Sequence, residues 1–249
     1  MLTQKRQEEI VKLVQERGSI TLQEMLEMFQ TSESTIRRDI TSLDKAGRLI
    51  KVFGGAVANN DQVSHLELSV SQKKEVDMEE KRQIAKYAAS LVAPDDFVYI
   101  DAGTTTGQML EYLTEKRATY VTNAVVHARG LVKKGFEVIL IGGTLKGATE
   151  AVVGAEAVAQ LKKYHFSKGF FGTNGIHPLC GFTTPDINEA LLKEAAVKNT
   201  QSRGRFVLSA SSKFGRISSV TFAGFDGVEI LTDKRPEDIV WKKVDITEV

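Results

Sequence analysis

The sequence predicts two domains: a small helical module closed by a β-hairpin, then a larger α/β domain built on a mostly parallel sheet. Three observations carry this. The chain has 249 residues, about one and a half average domains. Residues 1–57 hold three short stretches of helical periodicity and then a Gly-Gly turn between two apolar runs. From residue 79 to residue 249, strand-like and helix-like runs alternate, the pattern of βαβ units. Residues 58–78 between the two are polar and weakly periodic, and read as a linker.

The elements follow in order. Residues 4–17 form a helix with Ile10, Leu13 and Val14 at helical spacing, ended at Gly18. Ser19-Ile20-Thr21 is extended, and Thr21 with Glu24 fits a capping box opening a second helix with Leu22, Met25, Leu26 and Phe29 on one face. Ser32 caps a third helix, 33–46, with Ile36, Ile40 and Leu43 inward and Gly47 at its end. Residues 49–53 are a strand, turned by Gly54-Gly55 into Ala56-Val57. Three helices and a hairpin outline a winged helix-turn-helix. Beyond the linker, a helix carries Ile84, Ala85, Ala88, Ala89 and Leu91. Strands are expected at 97–100, 120–122, 137–141, 168–171, 205–209, 220–223 and 229–232, and helices at 107–113, 124–134, 154–161 and 188–199. The result is a Rossmann-like sheet with helices on both faces.

Composition narrows the class. The chain is 42% hydrophobic and 26% charged, an ordinary globular balance. No apolar run approaches the roughly 20 residues that span a bilayer, and no apolar stretch follows the first positive charges, so a cytoplasmic protein without membrane contact is expected. One cysteine and four scattered histidines, His65, His127, His165 and His177, give no metal-ligand spacing, so neither metal nor cofactor is expected. The net charge is +1. Residues 37–51 nonetheless carry a local excess of three positive charges, a pattern of nucleic-acid surfaces and of ordinary solvated faces alike.

The third helix separates these readings. Turning Ile36, Ile40 and Leu43 inward leaves Ser34, Thr35, Arg37 and Arg38 on the outer side near its amino terminus. There a recognition helix meets the major groove. Arginine suits a two-pronged contact to guanine. The hydroxyls of Ser32, Ser34 and Thr35 suit phosphates, as do the charges of Lys45 and Lys51.

In the larger domain, Asp101-Ala102-Gly103-Thr104-Thr105-Thr106-Gly107 lies between a strand and a helix. Glycine permits close backbone approach, threonine donates hydroxyls, and a helix amino terminus presents free N–H groups to an anion. The turn also lies at the carboxyl end of a parallel strand, where open α/β sheets bind ligands. Gly142-Gly143 is a weaker second candidate of the same kind. Lys193, four residues after Glu189, fits either a ligand contact or a helical ion pair, and Lys213 in Ser-Ser-Lys-Phe-Gly is a point charge suited to phosphate.

These residues resemble a known family. Arg6, Ile10, Val14, Ser32 and Thr35-Ile36-Arg37-Arg38-Asp39-Ile40 look like the amino-terminal signature of the DeoR family of bacterial repressors. Asp101-Ala-Gly-Thr-Thr-Thr106, Thr122-Asn123, Gly142-Gly143, Gly181-Phe-Thr-Thr-Pro-Asp186 with Glu189, and Ser211-Ser-Lys213-Phe214-Gly215 extend the resemblance over nearly the whole chain. It implies a second domain resembling ribose-5-phosphate isomerase that senses a phosphorylated sugar. Fructose 1-phosphate ranks first and a tagatose phosphate second. The expected effector contacts are Asp101, Gly103, Thr104, Thr105, Thr106, Asn123, Gly143, Lys146, Asn174, Glu189, Lys193 and Lys213. The sequence departs from the family pattern at Ala210, where an acidic residue is usual, and Lys146 is its basic residue after the glycine pair. A homodimer or homotetramer is expected to place two recognition helices on double-stranded operator DNA.

The competing reading is an isomerase-like enzyme with an accessory domain, which needs a general base beside the phosphate loop. Where those isomerases carry an acidic pair, this sequence has Gly172-Thr173-Asn174-Gly175, leaving Glu189 as the candidate base. A DNA-binding structural protein without ligand leaves the phosphate-type turns unexplained.

Overall fold

The computed structural model describes residues 3–52, 54–58, 63–64, 73 and 76–249. The chain divides into two compact units, residues 1–63 with 177–180, and residues 64–176 with 181–249. Within the expected linker, residues 59–62, 65–72 and 74–75 lie outside the described residues, as do Phe53 and His65. The ends of that segment are structured: Ala58 pairs with Leu49 in the hairpin, and Met78 opens a helix.

The first unit runs α1 (Thr3–Arg17), β1 (Ser19–Thr21), α2 (Leu22–Phe29), α3 (Glu33–Lys45), β2 (Leu49–Val52) and β3 (Gly55–Ala58). Thr21 and Glu24 cap α2 reciprocally, the Glu24 amide donating to Thr21 Oγ1 at 3.1 Å and the Thr21 amide to Glu24 Oε2 at 2.7 Å. The Ser32 hydroxyl oxygen accepts from the Thr35 amide at the start of α3. Ile10, Val14, Met25, Ile36, Ile40, Leu43 and Leu49 close one core, while Leu13, Leu22, Leu26 and Phe29 pack at its margin. Inside it Arg6 Nε donates to Asp39 Oδ2 at 2.6 Å, tying α1 to α3. Periodicity gave only a hairpin here, yet the sheet has three strands in the order β1-β3-β2. The two glycines explain it differently. Gly54 turns the hairpin at φ +84°, whereas a Cβ at Gly55 would lie 2.3 Å from the Ile20 carbonyl oxygen, so only glycine lets β1 pair there.

After β4 (Val63–Ser64) come α4 (Met78–Ser90), β5 (Phe97–Ile100), α5 (Thr104–Tyr112), β6 (Thr119–Thr122), α6 (Val125–Lys133) and β7 (Glu137–Leu140). Then follow β8 (Thr144–Leu145), β9 (Val152–Val153), α7 (Ala155–Leu161), β10 (Lys168–Gly172), β11 (Gly175–His177), β12 (Gly181–Thr184) and α8 (Ile187–Lys198). The chain ends with β13 (Arg205–Leu208), β14 (Ile217–Ser218), β15 (Val220–Ala223), β16 (Glu229–Thr232) and β17 (Ile246–Glu248). Seven strands form one sheet, β17-β16-β13-β10-β5-β6-β7, with every neighbouring pair parallel. Side chains alternate across it. Tyr99, Val121, Phe171 and Val207 join Leu161 and Ala196 on one face; Val98, Ile100, Phe170 and Phe206 join Ile84, Met109 and Leu131 on the other. No described helix is long and apolar enough to cross a membrane.

Sequence reading set the start of α5 three residues late. Thr106 explains the error, because its hydroxyl caps the helix from within: it accepts from the Gly103 amide at 3.0 Å and reaches the carbonyls of Asp101 at 2.6 Å and Gly103 at 2.9 Å. The strands β8, β9, β11, β12, β14 and β17 were not anticipated. All but β17 lie outside the seven-stranded sheet, so the alternation of strand and helix that marks that sheet does not mark them.

Candidate functional site

The strand order places a switch point between β5 and β10. From β5 the chain winds outward through β6 and β7 on one side, and from β10 through β13, β16 and β17 on the other. The connections leaving the carboxyl ends of these two central strands diverge and leave a crevice. A cavity of ≈ 410 Å³ opens at these loops.

Of the expected effector contacts, Gly103, Thr104, Thr105, Asn174, Glu189, Lys193 and Lys213 line it. The first turn of α5 faces it with the Thr104 and Thr105 side chains, and helix geometry leaves its first N–H groups without intrahelical acceptors. Thr173 lies beside Asn174, its hydroxyl spent on the carbonyls of Gly175 and Thr183.

Five expected contacts are not part of the lining. Asp101 is buried, and its Oδ2 accepts from the Gly172 amide at 2.9 Å and from the Lys193 ammonium. It therefore joins β5 to β10 and orients Lys193, which also donates to the Gly172 carbonyl at 3.0 Å. Thr106 is the helix cap. Asn123 is consumed by the fold: its Oδ1 accepts from the Tyr99 hydroxyl and the Ala102 amide, and its Nδ2 donates to the Val152 carbonyl. Gly143 serves packing, since at its φ of +148° a Cβ would stand 2.7 Å from the Val153 carbonyl oxygen. Lys146 pairs with Asp186 at 3.1 Å and Glu189 at 3.3 Å, and Glu189 also accepts the Thr149 hydroxyl at 2.6 Å.

The structure adds residues that sequence reading passed over. Lys73, Val76, Asp77, Lys81, Gln108, His127, Ser212 and Arg216 also line the cavity. Lys81 was hidden because on an amphipathic helix a lysine reads as solvated surface; instead it is 4% exposed, and its ammonium donates to the carbonyls of Lys73 and, at 2.5 Å, Val76. Burial lowers its pKa. Lys213 donates to the Thr173 carbonyl at 2.8 Å. Burial first, then the charges of Lys81 and Lys73, bring its pKa to about 7, while Asp77 opposes the fall. Concentrated ammonium charge of this kind is suited to a dianion.

On the smaller unit, α3 exposes Ser32, Ser34, Arg37 and Arg38, with Thr35 half-buried and Lys45 and Lys51 exposed nearby. Ser32 is engaged as the cap, within 2.9 Å of the Ser34 hydroxyl and 2.8 Å of the Thr35 hydroxyl. Arg37 is held one turn back by Glu33 at 2.6 Å. Lys51 donates to the Thr41 hydroxyl at 2.9 Å, and Arg38 makes no ion pair among the described residues.

Two family models match the chain: the DeoR-like helix-turn-helix domain over residues 6–62 and the DeoR C terminal sensor domain over residues 76–234. A Bacillus subtilis protein described as an uncharacterized HTH-type transcriptional regulator, FruR, is 40% identical over 238 residues, 95% of this chain and 93% of that protein. The lactose phosphotransferase system repressor of Staphylococcus epidermidis is 34% identical over 92% of this chain and 91% of its own length. That of Streptococcus mutans is 32% identical over 100% and 99%. Among solved structures, ribose 5 phosphate isomerase A from Neisseria gonorrhoeae matches with a TM-score of 0.39 at 12% identity, covering 54% of this chain and 52% of that one. The sorbitol operon regulator SorC from Klebsiella pneumoniae matches with 0.37 at 11% identity, covering 83% and 89%.

Proposed function

Because the chain belongs to the DeoR family and carries both its helix-turn-helix and its sensor domain, we propose that it represses a sugar-utilisation operon and that a phosphorylated sugar in the switch-point cavity relieves the repression. One observation carries the sensing half: the first turn of α5 and the ammonium groups of Lys73, Lys81, Lys193 and Lys213 line the same cavity. Hydroxyls and N–H groups at a helix amino terminus hold a tetrahedral anion, and the lysines neutralise it. Asn174 and Glu189 are left to read sugar hydroxyls. Fructose 1-phosphate is the first candidate effector and a tagatose phosphate the second.

In the DNA half, Arg37 and Arg38 read bases or phosphates from the exposed face of α3, with Ser34, Lys45 and Lys51 on the backbone. A dimer or tetramer sets two such helices on half-sites about one helical turn apart. An effector shifts this equilibrium only by its differential affinity for the two conformations, typically 1–3 kcal/mol of coupling. Against the isomerase reading stands the engagement of Glu189, whose carboxylate already accepts from Thr149 and Lys146.

The test uses duplex DNA selected by the purified protein from a random library and labelled for fluorescence anisotropy. Adding fructose 1-phosphate or a tagatose phosphate releases the DNA at concentrations where the free sugars do nothing. DNA binding indifferent to every sugar phosphate contradicts the proposal.

A further inference from the structure

We propose that Asp77 and Ser212 form a latch on the cavity, and that a dianion bound there displaces Asp77, which turns back to cap α4 and shifts the chain that precedes it. The inference rests on the sugar-phosphate reading above and adds how occupancy of the cavity is converted into movement of the backbone.

Three observations meet at Asp77. It immediately precedes α4, yet its side chain makes no capping hydrogen bond, and its backbone is left-handed at φ 51° and ψ 46°. Aspartate is among the strongest N-caps when its backbone is extended, and the left-handed backbone it adopts here, though milder for aspartate than for most residues, carries strain that a competing contact must offset. What holds it is distant in sequence: Asp77 Oδ2 accepts from the Ser212 hydroxyl at 2.7 Å. Asp77 therefore has two competing uses, and the structure holds the strained one.

The second observation is electrostatic. Lys73, Lys81, Lys193 and Asp77 all act on Lys213, and Asp77 is the acidic residue among them. Its carboxylate lies at the cavity wall, where it serves as counter-ion to the lysines. A phosphate dianion brings more charge to the same ammonium groups and repels the carboxylate. The third observation is mechanical. Lys73, Val76 and Asp77 form part of the wall, and Lys81, in the first turn of α4, grips the carbonyls of Lys73 and Val76 while its own amide donates to the Asp77 carbonyl at 3.0 Å. A change at Asp77 is thereby passed to the backbone ahead of α4.

The full-length protein carries the test, with inorganic phosphate and fructose 1-phosphate as probes. Ser212→Ala removes the latch without changing any charge. Without ligand, hydrogen exchange of the Glu79 and Glu80 amides then slows several-fold, because Asp77 caps them. Saturating wild-type protein with either anion slows the same amides, and Asp77→Ala abolishes the slowing. Calorimetry gives Ser212→Ala a several-fold tighter affinity for phosphate than wild type, since no latch has to open. Unchanged or faster exchange in ligand-free Ser212→Ala overturns the latch whatever the cavity binds. Equal or weaker phosphate affinity in that variant makes Ser212 a plain ligand contact and overturns the competition. If the ligand-free arm behaves as expected but neither anion binds wild type, the sugar-phosphate reading fails, and anion-driven opening fails with it.

Discussion

Lys213 is half-buried and bonds a carbonyl oxygen rather than a carboxylate, and desolvation with neighbouring lysines brings its pKa to about 7. An anion beside it favours the charged form, so binding above pH 7 takes up a proton. In the free protein the sign is the reverse: folding releases a proton between about 7 and the ordinary lysine value of 10.5, so stability from this group is lost as pH falls from 10.5 to about 7 and changes no further below that. Effector affinity therefore declines above pH 7. It also declines below about pH 6, where a phosphate monoester loses its second charge. Calorimetry at pH 8 in two buffers of different ionisation enthalpy reads the uptake directly; identical heats exclude it.

Asp101 belongs at the same scale. Sequence reading gave its carboxylate a sugar to hold, but the structure gives it Lys193 and the Gly172 amide. Removing one partner of a buried pair costs about 3–5 kcal/mol, so Asp101→Ala lowers the stability of the larger unit as well as effector response. A denaturant titration tests this, and a variant that loses response at full stability contradicts the positioning role. Arg37 is exposed, and its bond to Glu33 is a surface pair that contributes little. Arg37→Ala should leave the melting temperature in place and weaken specific DNA binding by about 1–3 kcal/mol in a mobility-shift assay at fixed salt; unchanged affinity removes it from the interface.

At the scale of elements, the α1–α3 contact encloses a buried ion pair within an apolar core. Arg6 and Asp39 are 7% and 3% exposed, and Gln7 adds a hydrogen bond to Asp39 Oδ1 at 3.0 Å. Asp39→Ala should destabilise the smaller unit by about 3–5 kcal/mol and abolish DNA binding without touching the recognition face; native melting of that variant contradicts it. Helices this amphipathic were legible because their apolar residues recur every three or four positions, and their caps, Thr21 and Ser32, are local. The third strand of the wing was not, because its pairing is a contact between residues 19–21 and 55–57 that neither segment announces alone. The site divides in the same way. Gly103-Thr104-Thr105 was legible because a glycine-threonine turn after a strand has its chemistry in one stretch of chain. Lys81 and Asp77 were not, because their role depends on Ser212 and Lys213, more than 130 residues away.

For the whole molecule, strand order decides where a ligand belongs. Alternation of strands and helices predicted the parallel sheet but not the reversal of direction between β5 and β10, which depends on which strand pairs with which. That reversal gathers residues near positions 77, 104, 174, 193 and 213 around one cavity. On the proposed function, this cavity recognises the phosphate of a sugar. Charge-assisted hydrogen bonds contribute roughly 1.5–3 kcal/mol each, so losing the whole group removes several orders of magnitude of affinity. Calorimetric titration of the purified protein with fructose and with fructose 1-phosphate measures this directly: tight binding of the phosphate with no detectable heat from fructose is the expected result, and comparable affinities for the two contradict the account.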